Sequence, residues 1–277
     1  MTEDMREKSA KERNREKAKI HDEAKSAQGL SSPTVYEIIS LEGIEEMRRP
    51  VKSLWWSGVA AGLAISLSLY VMAALRVSLG GDGPSAIEKL GYCFGFLVVV
   101  LSRLQLFTEN TITPILPALK HRQASMLWSV ARLWGIVLVA NLSGTFLAAL
   151  IPTYVPTVGA ELYAAMLDIS HHFSERAYSS VFFSAIPAGF MVAAMVWMLP
   201  NSKNFEFWTI SAVTFAIAIT DTSHVIVGST ELFLVLLNGE SSLPEAATRL
   251  FLAGAGNIFG GSALFAVLAY GQVSEEI

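Results

Sequence analysis

The sequence predicts an all-α polytopic membrane protein with six transmembrane helices in an inverted 3+3 repeat, in which helices 2 and 5 are broken. Three observations predict this fold class. Of the 277 residues, 52% are hydrophobic and 16% are charged, and the mean hydropathy is +0.46. The apolar residues form six blocks, and the second and fifth blocks have polar interruptions near their middles. One short motif occurs in both the third and the sixth block.

The chain begins with a strongly charged segment. Residues 1–52 hold 11 of the 20 Lys and Arg residues and 11 of the 24 Asp and Glu residues. Residues 1–30 alternate the two signs and contain few large apolar side chains, which is typical of a disordered, solvated tail. Because acidic residues balance the basic ones, the tail does not indicate nucleic acid as a partner.

Residues 31–52 predict an amphipathic lead-in helix. Thr34 is a suitable N-cap, and Glu37 three residues later would complete a capping box. Apolar residues then follow on roughly one face, namely Val35, Ile38, Ile39, Leu41 and Ile44. We interpret this helix as a surface-lying entry to the membrane domain, with a gate at the pore mouth as the alternative.

Residues 53–272 form the predicted channel domain, with hydrophobic blocks at about 54–75, 90–119, 127–151, 179–199, 207–238 and 247–270. Six spans place both termini on one side of the membrane. Arg48, Arg49 and Lys52 precede the first span, so the positive-inside rule predicts that this side is the cytoplasm. Residues 273–277 are then a short cytoplasmic C-terminus.

The two interruptions lie in the stretches Leu101–Pro114 and Ile219–Ser229. Non-helical backbone at membrane depth persists only where protein buries it or where it lines a water-filled path. A charge left alone near the bilayer centre costs about 2.5–3.5 kcal/mol on the insertion scale. We therefore expect Arg103, Glu109 and Asp221 to pair with one another or to face water; Asp221 could also tune the histidine that follows it.

The spacing of motifs predicts the internal repeat. Asn141-Leu-Ser-Gly144 and Asn257-Ile-Phe-Gly260 share the pattern Asn-x-x-Gly at an offset of 116 residues, and the same offset pairs Thr108 with His224. Three spans in each half give the halves opposite orientations, so the two breaks would face each other near the bilayer centre. We expect the two asparagines to hydrogen-bond peptide groups that the broken helices leave unpaired.

Residues at these positions resemble the formate/nitrite transporter family over about residues 31–272. The resemblance rests on the stretch Gln105–Asn110, on the histidine at the break of the fifth span, and on the stretch Ala255–Gly261. Four further motifs resemble its YfdC-like branch: Leu106–Thr111, Arg132–Gly135, Met195–Met198 and Asp221–Ser229. The resemblance implies an aquaporin-like fold, a homopentamer with one pore in each protomer, a bacterial inner-membrane location, and passage of small monovalent anions with or as their conjugate acids.

The resemblance also implies roles for individual residues. It places the central pore histidine at His224, the loop threonine at Thr108, an apolar constriction at Leu106 and the last-span asparagine at Asn257. Three positions depart from the family pattern: an acid is replaced by Ser223, an asparagine by Gly228, and an acid before Leu-Phe-Thr by Gln105. The remaining candidate pore residues are Arg103, Phe107, Glu109, Asn110, Asn141 and Asp221.

These residues predict a channel for small monovalent anions or weak acids. An anion loses several kcal/mol of hydration in a narrow apolar pore, and a buried histidine can compensate by donating a hydrogen bond or by sharing a proton. The partners are thus the solute, protons and the lipid bilayer. A neutral small-solute channel of the aquaporin type is the alternative, because the acid before His224 is missing.

The sequence gives no indication of enzymatic activity. It contains no phosphate-binding glycine loop after a strand, and no nucleophile–base pair converges on His224. His171 and His172 lie among acidic residues in 168–175, but adjacent histidines do not share a helix face, so we interpret this segment as a solvated loop. We therefore predict no cofactor and no metal.

Overall fold

The computed structural model describes Lys17, Lys19 and residues 29–80 and 85–277. The predicted disordered tail, residues 1–30, therefore lies almost wholly outside the described residues. The helices in chain order are α1 (Ser32–Arg48), α2 (Val51–Leu79), α3 (Ala86–Leu90), α4 (Tyr92–Leu101), α5 (Ile115–His121), α6 (Ala124–Tyr154), α7 (Ala160–Ser174), α8 (Tyr178–Met198), α9 (Glu206–Ile219), α10 (Val225–Leu237), α11 (Leu243–Ile258) and α12 (Val267–Val273). Short 3-10 helices occupy Glu109–Thr111 and Leu199–Asn201, and a π-helix, Phe259–Ala266, joins α11 to α12.

Four helical stretches in the described part of the chain are long and apolar enough to cross a membrane: Val51–Leu79, Ala124–Tyr154, Tyr178–Asn201 and Leu243–Val273. The other two hydrophobic blocks are each divided into two shorter helices. The second block contains α4 and α5, and the fifth contains α9 and α10. Both divisions lie where the polar interruptions predict them.

Glycines let the long helices pack closely in two pairs, α2 with α6 and α8 with α11. A Cβ atom on Gly62 would lie 2.2 Å from the carbonyl oxygen of Asn141, and one on Gly189 would lie 2.2 Å from that of Asn257. Contacts this short admit only a hydrogen at the glycine Cα, so the backbones of paired helices touch directly. This close packing brings both asparagines next to the helix breaks.

The lead-in helix α1 begins earlier than the sequence predicts. Its N-cap is Ser31, whose hydroxyl accepts a hydrogen bond from the Thr34 N–H at 3.4 Å, so the capping box assigned to Thr34 and Glu37 is wrong. Pro33 explains the difference, because proline fits the first turn of a helix, where its missing N–H has no partner to lose. Gly43 holds α1 against the first break: a Cβ there would lie 2.0 Å from the Thr113 carbonyl oxygen.

The prediction that segment 168–175 is a solvated loop is wrong. The segment forms the end of helix α7, with Glu175 as the C-cap. Met166, Ile169 and Phe173 are buried and follow helical spacing, and α7 packs against α2 and α10. The pattern was overlooked because the polar residues 168, 171, 172 and 175 stand between these apolar positions. Helix α7 thereby forms one wall of the candidate site.

Candidate functional site

The two helix breaks begin with the same backbone turn. Helices α4 and α9 both end in a left-handed residue, Arg103 with φ 53° and Asp221 with φ 57°. After each one, an N–H reaches back five residues: Leu104 donates to the Val99 carbonyl and Thr222 donates to the Ile217 carbonyl. This is the Schellman arrangement, which satisfies the last carbonyls of a helix and turns the chain away.

Asn141 holds the first break in place. Its side-chain oxygen accepts from the Phe107 N–H at 2.9 Å, and its amide nitrogen donates to the carbonyl oxygens of Gln105 and Gly58, both at 2.8 Å. Since the peptide groups of Gln105 and Phe107 have left the helix, they need partners inside the protein, whereas Gly58 lies within α2.

Asn257 does the same at the second break. Its oxygen accepts from the Val225 N–H at 2.9 Å, and its nitrogen donates to the carbonyl oxygens of Ser223 at 2.9 Å and Ala185 at 2.8 Å. The prediction that the two asparagines bind unpaired peptide groups is confirmed.

The shared contact pattern pairs the two breaks differently from the spacing of the motifs. Asn141 brackets Leu106 by binding the residues on either side of it, and Asn257 brackets His224 in the same way. Leu106, and not Thr108, is therefore the residue equivalent to His224. The two asparagines are 116 residues apart, whereas Leu106 and His224 are 118 residues apart. A single offset therefore cannot align both the asparagines and the breaks.

We predict that either asparagine is required for stability. Asn141→Leu or Asn257→Leu would leave two buried peptide groups of a break without partners, at a cost of about 1–3 kcal/mol each. The expected result is a lower melting temperature of the detergent-purified protein, with loss of the folded peak in size-exclusion chromatography in the severe case. Asn201→Leu is a control, since among the described residues the Asn201 side chain bonds only the exposed backbone of Leu30. Equal melting temperatures for the three variants would contradict the assignment.

His224 and Thr108 meet directly, although they are not equivalent by symmetry. The Nε2 atom of His224 lies 2.8 Å from the Thr108 hydroxyl oxygen, and both side chains are buried. The Nδ1 atom of His224 accepts from the Val227 N–H at 3.3 Å and so caps the first turn of α10. The ring of Phe96 packs edge-on against the imidazole with 5.0 Å between centroids.

The helix cap determines where the histidine carries its hydrogen. Because Nδ1 faces an N–H donor, a neutral imidazole must carry its hydrogen on Nε2 and donate it to the Thr108 oxygen. The Thr108 hydroxyl hydrogen is then free for another acceptor. The pair therefore presents one hydrogen-bond donor at the junction of the two breaks.

Two cavities approach this junction without meeting. The His224 cavity, about 740 Å³, is lined by Ser223, His224 and parts of α2, α3, α7 and α10. The Glu46 cavity, about 750 Å³, is lined by Arg103, Gln105 and Glu109 together with α1. Leu106, Phe107 and Thr108 line neither cavity and are at most 1% exposed, so they close the passage between the two.

Asp221 pairs with neither Arg103 nor His224, the two partners considered from the sequence. Its carboxylate binds Arg176 Nη2 at 2.5 Å and His172 Nε2 at 2.9 Å. Arg176 also donates to the Asp221 carbonyl at 2.7 Å and to the Ser223 hydroxyl at 3.2 Å. Arg176 thus fixes the second break, a role with no sequence signal beyond its place just before the fourth block.

Arg103 and Glu109 do not pair with each other either. Arg103 is exposed at the Glu46 cavity, and the Oε1 atom of Glu109 is buried with no hydrogen-bond partner in the described part of the chain. Of the two predicted alternatives, mutual pairing of the three charged residues is therefore wrong, whereas Arg103 is exposed, as the other alternative predicts. The reason is geometric: Arg103 lines the Glu46 cavity and Asp221 lines the His224 cavity.

Glu46 of α1 is a site residue that the sequence reasoning missed. Its carboxylate accepts hydrogen bonds from Thr113 Oγ1 at 2.5 Å, Gln105 Nε2 at 2.9 Å and Asn110 Nδ2 at 3.0 Å. Burial raises the pKa of Glu46, and the three hydrogen bonds oppose that shift. No signal in the sequence identifies it, because its partners reach it only through the packing of α1 against the first break.

The structure also explains one departure from the family pattern. A Cβ on Gly228 would lie 2.6 Å from the ring of Phe173 in α7. The ring of this phenylalanine fills the volume that a longer side chain would occupy, so an asparagine at position 228 requires the Phe173 ring to shift.

Long apolar helices, two interrupted helices and a buried polar pair between two cavities together define a polytopic membrane transport protein. Comparison with known proteins gives the family. Residues 33–271 match the formate/nitrite transporter family, and the chain belongs to that family. This confirms the resemblance found in the sequence.

Two curated relatives are similar over most of the chain. The chain is 36% identical to inner membrane protein YfdC of Escherichia coli (strain K12) over 249 residues, which are 88% of this chain and 79% of that protein. It is 24% identical to formate-nitrite transporter 3 of Toxoplasma gondii (strain ATCC 50611 / Me49) over 226 residues, which are 76% of this chain and 44% of that protein.

Two solved structures share the fold. An FNT family ion channel matches with a TM-score of 0.72 and 15% identity, covering 86% of this chain and 98% of that one. A pentameric formate channel with formate bound matches with a TM-score of 0.69 and 17% identity, covering 82% and 98%. The all-helical channel fold is therefore established for this chain.

Proposed function

We propose that this protein is a membrane channel for small monovalent anions or their weak acids, of formate or nitrite type. The observation that carries the proposal is the buried bond between Thr108 and His224, at the one place where the two helix breaks and the two cavities converge. Burying a polar pair inside a membrane domain costs free energy. Its presence therefore indicates a role, either in the structure or in binding a solute.

The proposed topology has six spans in two inverted halves, with both termini in the cytoplasm of a bacterial inner membrane. The matching turns at Arg103 and Asp221 and the matching asparagine contacts support the inverted repeat. A formate channel with the same fold is pentameric, which supports a homopentamer with one pore in each protomer. The YfdC relative is an inner membrane protein, which supports the location.

The chemistry at the junction suits an anion or its acid. The free hydrogen of the Thr108 hydroxyl can bind an anionic oxygen once Leu106 and Phe107 move apart. Helix α10 begins at Val225, directly after His224, so the positive end of its dipole points at the same place. Both features stabilise the electron-rich oxygen of an anion or of its neutral acid where the passage is narrowest.

His224 acts in this proposal as a hydrogen-bonding residue and not as the source of a proton. Giving up the hydrogen on Nε2 would leave an imidazolate, unless Nδ1 were first protonated. A proton on Nδ1 would face the Val227 N–H and break the cap of α10. The histidine therefore orients Thr108 and stays neutral during permeation.

A neutral-solute channel remains the second candidate, and the charges of the cavities favour it. Three Lys or Arg side chains line the His224 cavity beside five carboxylates, and the Glu46 cavity likewise has more carboxylates than cations. Such cavities do not concentrate anions. Aquaporin-type conduction of glycerol or water would fit this feature.

A liposome uptake panel tests the proposal. Purified protein in liposomes is offered formate, nitrite, acetate, lactate, hydrosulfide, glycerol and water at several pH values. We expect uptake of at least one small anion or its acid, and strong loss in His224→Phe. Because that variant also removes the cap of α10, His224→Asn is the matched variant: asparagine is a good N-cap but cannot reach Thr108. Anion uptake at the wild-type rate in both variants, or uptake of neutral solutes alone, would overturn the proposal.

A further inference from the structure

The His224 cavity contains a second ionisable group for which the channel described so far has no role, Glu231. It lies seven residues after His224 on α10, and His224, Val227, Gly228 and Glu231 all line the cavity. Seven residues are two helical turns, so Glu231 stands on the same face as His224, about 10 Å along the helix axis. A solute entering by this cavity passes Glu231 before it reaches Thr108.

The arginines of this cavity are already occupied by other acids. Arg76 of α2 binds Glu88 of α3, with its Nε atom 2.8 Å from the carboxylate, and also binds Asp168 of α7. On the other side, Arg176 binds Asp221, which in turn binds His172. Neither guanidinium is therefore available as a counter-ion for Glu231.

The other charged or titratable groups facing the cavity are few. Lys89 of α3 and Tyr92 of α4 line it near Glu231, and His171 of α7 is held by Glu240, with 2.8 Å between Nε2 and the carboxylate. Glu175 lies at its exposed rim. In the described part of the chain, no hydrogen bond or ion pair reaches the carboxyl group of Glu231.

The net charge of the groups that line the His224 cavity determines whether an anion can enter past Glu231. Arg176 balances Asp221, whereas Arg76 is shared by two carboxylates and leaves one negative charge over. Lys89 then stands against Glu175 and Glu231, so an anion meets net negative charge as it leaves bulk water. A carboxylate without a partner inside a membrane domain is costly, whereas its protonated form carries no charge and can donate a hydrogen bond. A protonated Glu231 would therefore admit the anion that a deprotonated one repels.

We propose that Glu231 is the proton donor of the channel, resting on the function proposed above. The O–H bond of the Glu231 carboxylic acid breaks, and the proton passes to an oxygen of the permeating anion, whose new O–H bond makes it a neutral acid. Glu231 is left as a carboxylate and regains a proton from hydronium in the cavity. Nothing is oxidised or reduced, and the neutral acid then passes the Thr108–His224 pair.

This step supplies the proton that His224 cannot give. The histidine donates its Nε2 hydrogen to Thr108 and accepts a hydrogen bond from the Val227 N–H at Nδ1, so both ring nitrogens already have hydrogen-bond partners. The Glu231 carboxyl group has no such partner among the described residues, and it lines the His224 cavity.

The test compares Glu231→Gln with wild-type protein in liposomes that contain a trapped pH indicator, during uptake of labelled formate between about pH 5 and pH 8. For the wild type we expect one proton to enter with each formate and a shallow pH profile. Glutamine keeps the shape but cannot donate a proton, so the variant should fall about 10-fold at neutral pH. Its remaining flux should follow bulk formic acid, which decreases roughly tenfold per pH unit.

Two further variants make the result decisive. Glu231→Asp should restore proton-coupled uptake in part. Glu175→Gln removes an exposed carboxylate from the rim of the same cavity but leaves the proposed proton donor in place, so it should keep one proton per formate and the shallow pH profile of the wild type. Unchanged rate and pH profile in Glu231→Gln would overturn the inference while leaving the anion channel intact. A wild-type protein that takes up no anion at all would overturn the proposed function and, with it, the role of Glu231.

Discussion

Thr108→Val is expected to reduce formate uptake about 10- to 100-fold while leaving the protein folded. The variant retains the size and shape of the side chain but removes the hydroxyl, which is the hydrogen-bond donor at the junction of the breaks. It also leaves the Nε2 hydrogen of His224 without an acceptor. The loss of such a bond inside a protein is worth about 1–3 kcal/mol, which corresponds to the stated range of rates.

The measurement is the initial rate of labelled formate uptake into liposomes at fixed pH, normalised to the amount of folded protein. Thr108→Ser is the matched control because it keeps the hydroxyl and loses only a methyl group, so at least a third of the wild-type rate should remain. If valine and serine at this position gave equal rates, the hydroxyl would have no role in permeation. A melting temperature of Thr108→Val near that of the wild type would show that the rate, and not the fold, has changed.

The large features of the fold could be predicted from the sequence because each depends on local chemistry. Apolar blocks long enough to cross a membrane indicate helices, and polar residues in the middle of such a block indicate where a helix must end. The role of Asn141 and Asn257 could also be inferred, since a buried amide beside broken helices has few other partners. The family followed from short motifs at these same places.

Contacts between distant segments could not be predicted in the same way. Asp221 was expected to meet Arg103 or His224 because all three lie in the breaks, but its partner Arg176 comes from the turn after α7, a helix that the sequence reasoning had interpreted as loop. Spacing alone also misaligned Thr108 with His224 by two residues. The two side chains nevertheless meet, since the breaks approach each other in three dimensions.

Glu46 shows a third limit of sequence reasoning, because its importance comes from a surface that only the fold creates. The lead-in helix was considered as a surface helix or a gate. In the structure, Arg132 binds the carbonyls of Met47 and Arg49 while Tyr36 donates to the Leu116 carbonyl at 2.9 Å. Helix α1 is therefore built into the wall of the first break, and the Glu46 carboxyl group lies at the centre of that contact.

Glu46→Leu is expected to destabilise the protein by about 2–4 kcal/mol and to slow uptake. The leucine leaves three buried donors, on Gln105, Asn110 and Thr113, without an acceptor. These residues flank Thr108 on both sides, so the loop that presents the Thr108 hydroxyl loses its anchor. We expect a fall of about 5 °C or more in melting temperature, together with a lower uptake rate, whereas Glu45→Leu at an exposed position of the same cavity should change neither.

Glu46 should also make stability depend on pH. Because burial raises its pKa in the folded protein above the ordinary value of 4.5, the folded state holds the proton more tightly than the unfolded state. Its contribution to stability is fully present below the unfolded pKa and is lost as pH rises through the raised folded pKa. Glu46→Gln mimics the protonated form. The side-chain oxygens of Gln105 and Asn110 have no partner in the described part of the chain. Either amide can therefore flip and accept a hydrogen bond from the new glutamine. The melting temperature of wild-type protein minus that of Glu46→Gln should therefore fall with increasing pH over this range, and a difference that rose instead would show that the carboxylate form is preferred in the folded protein.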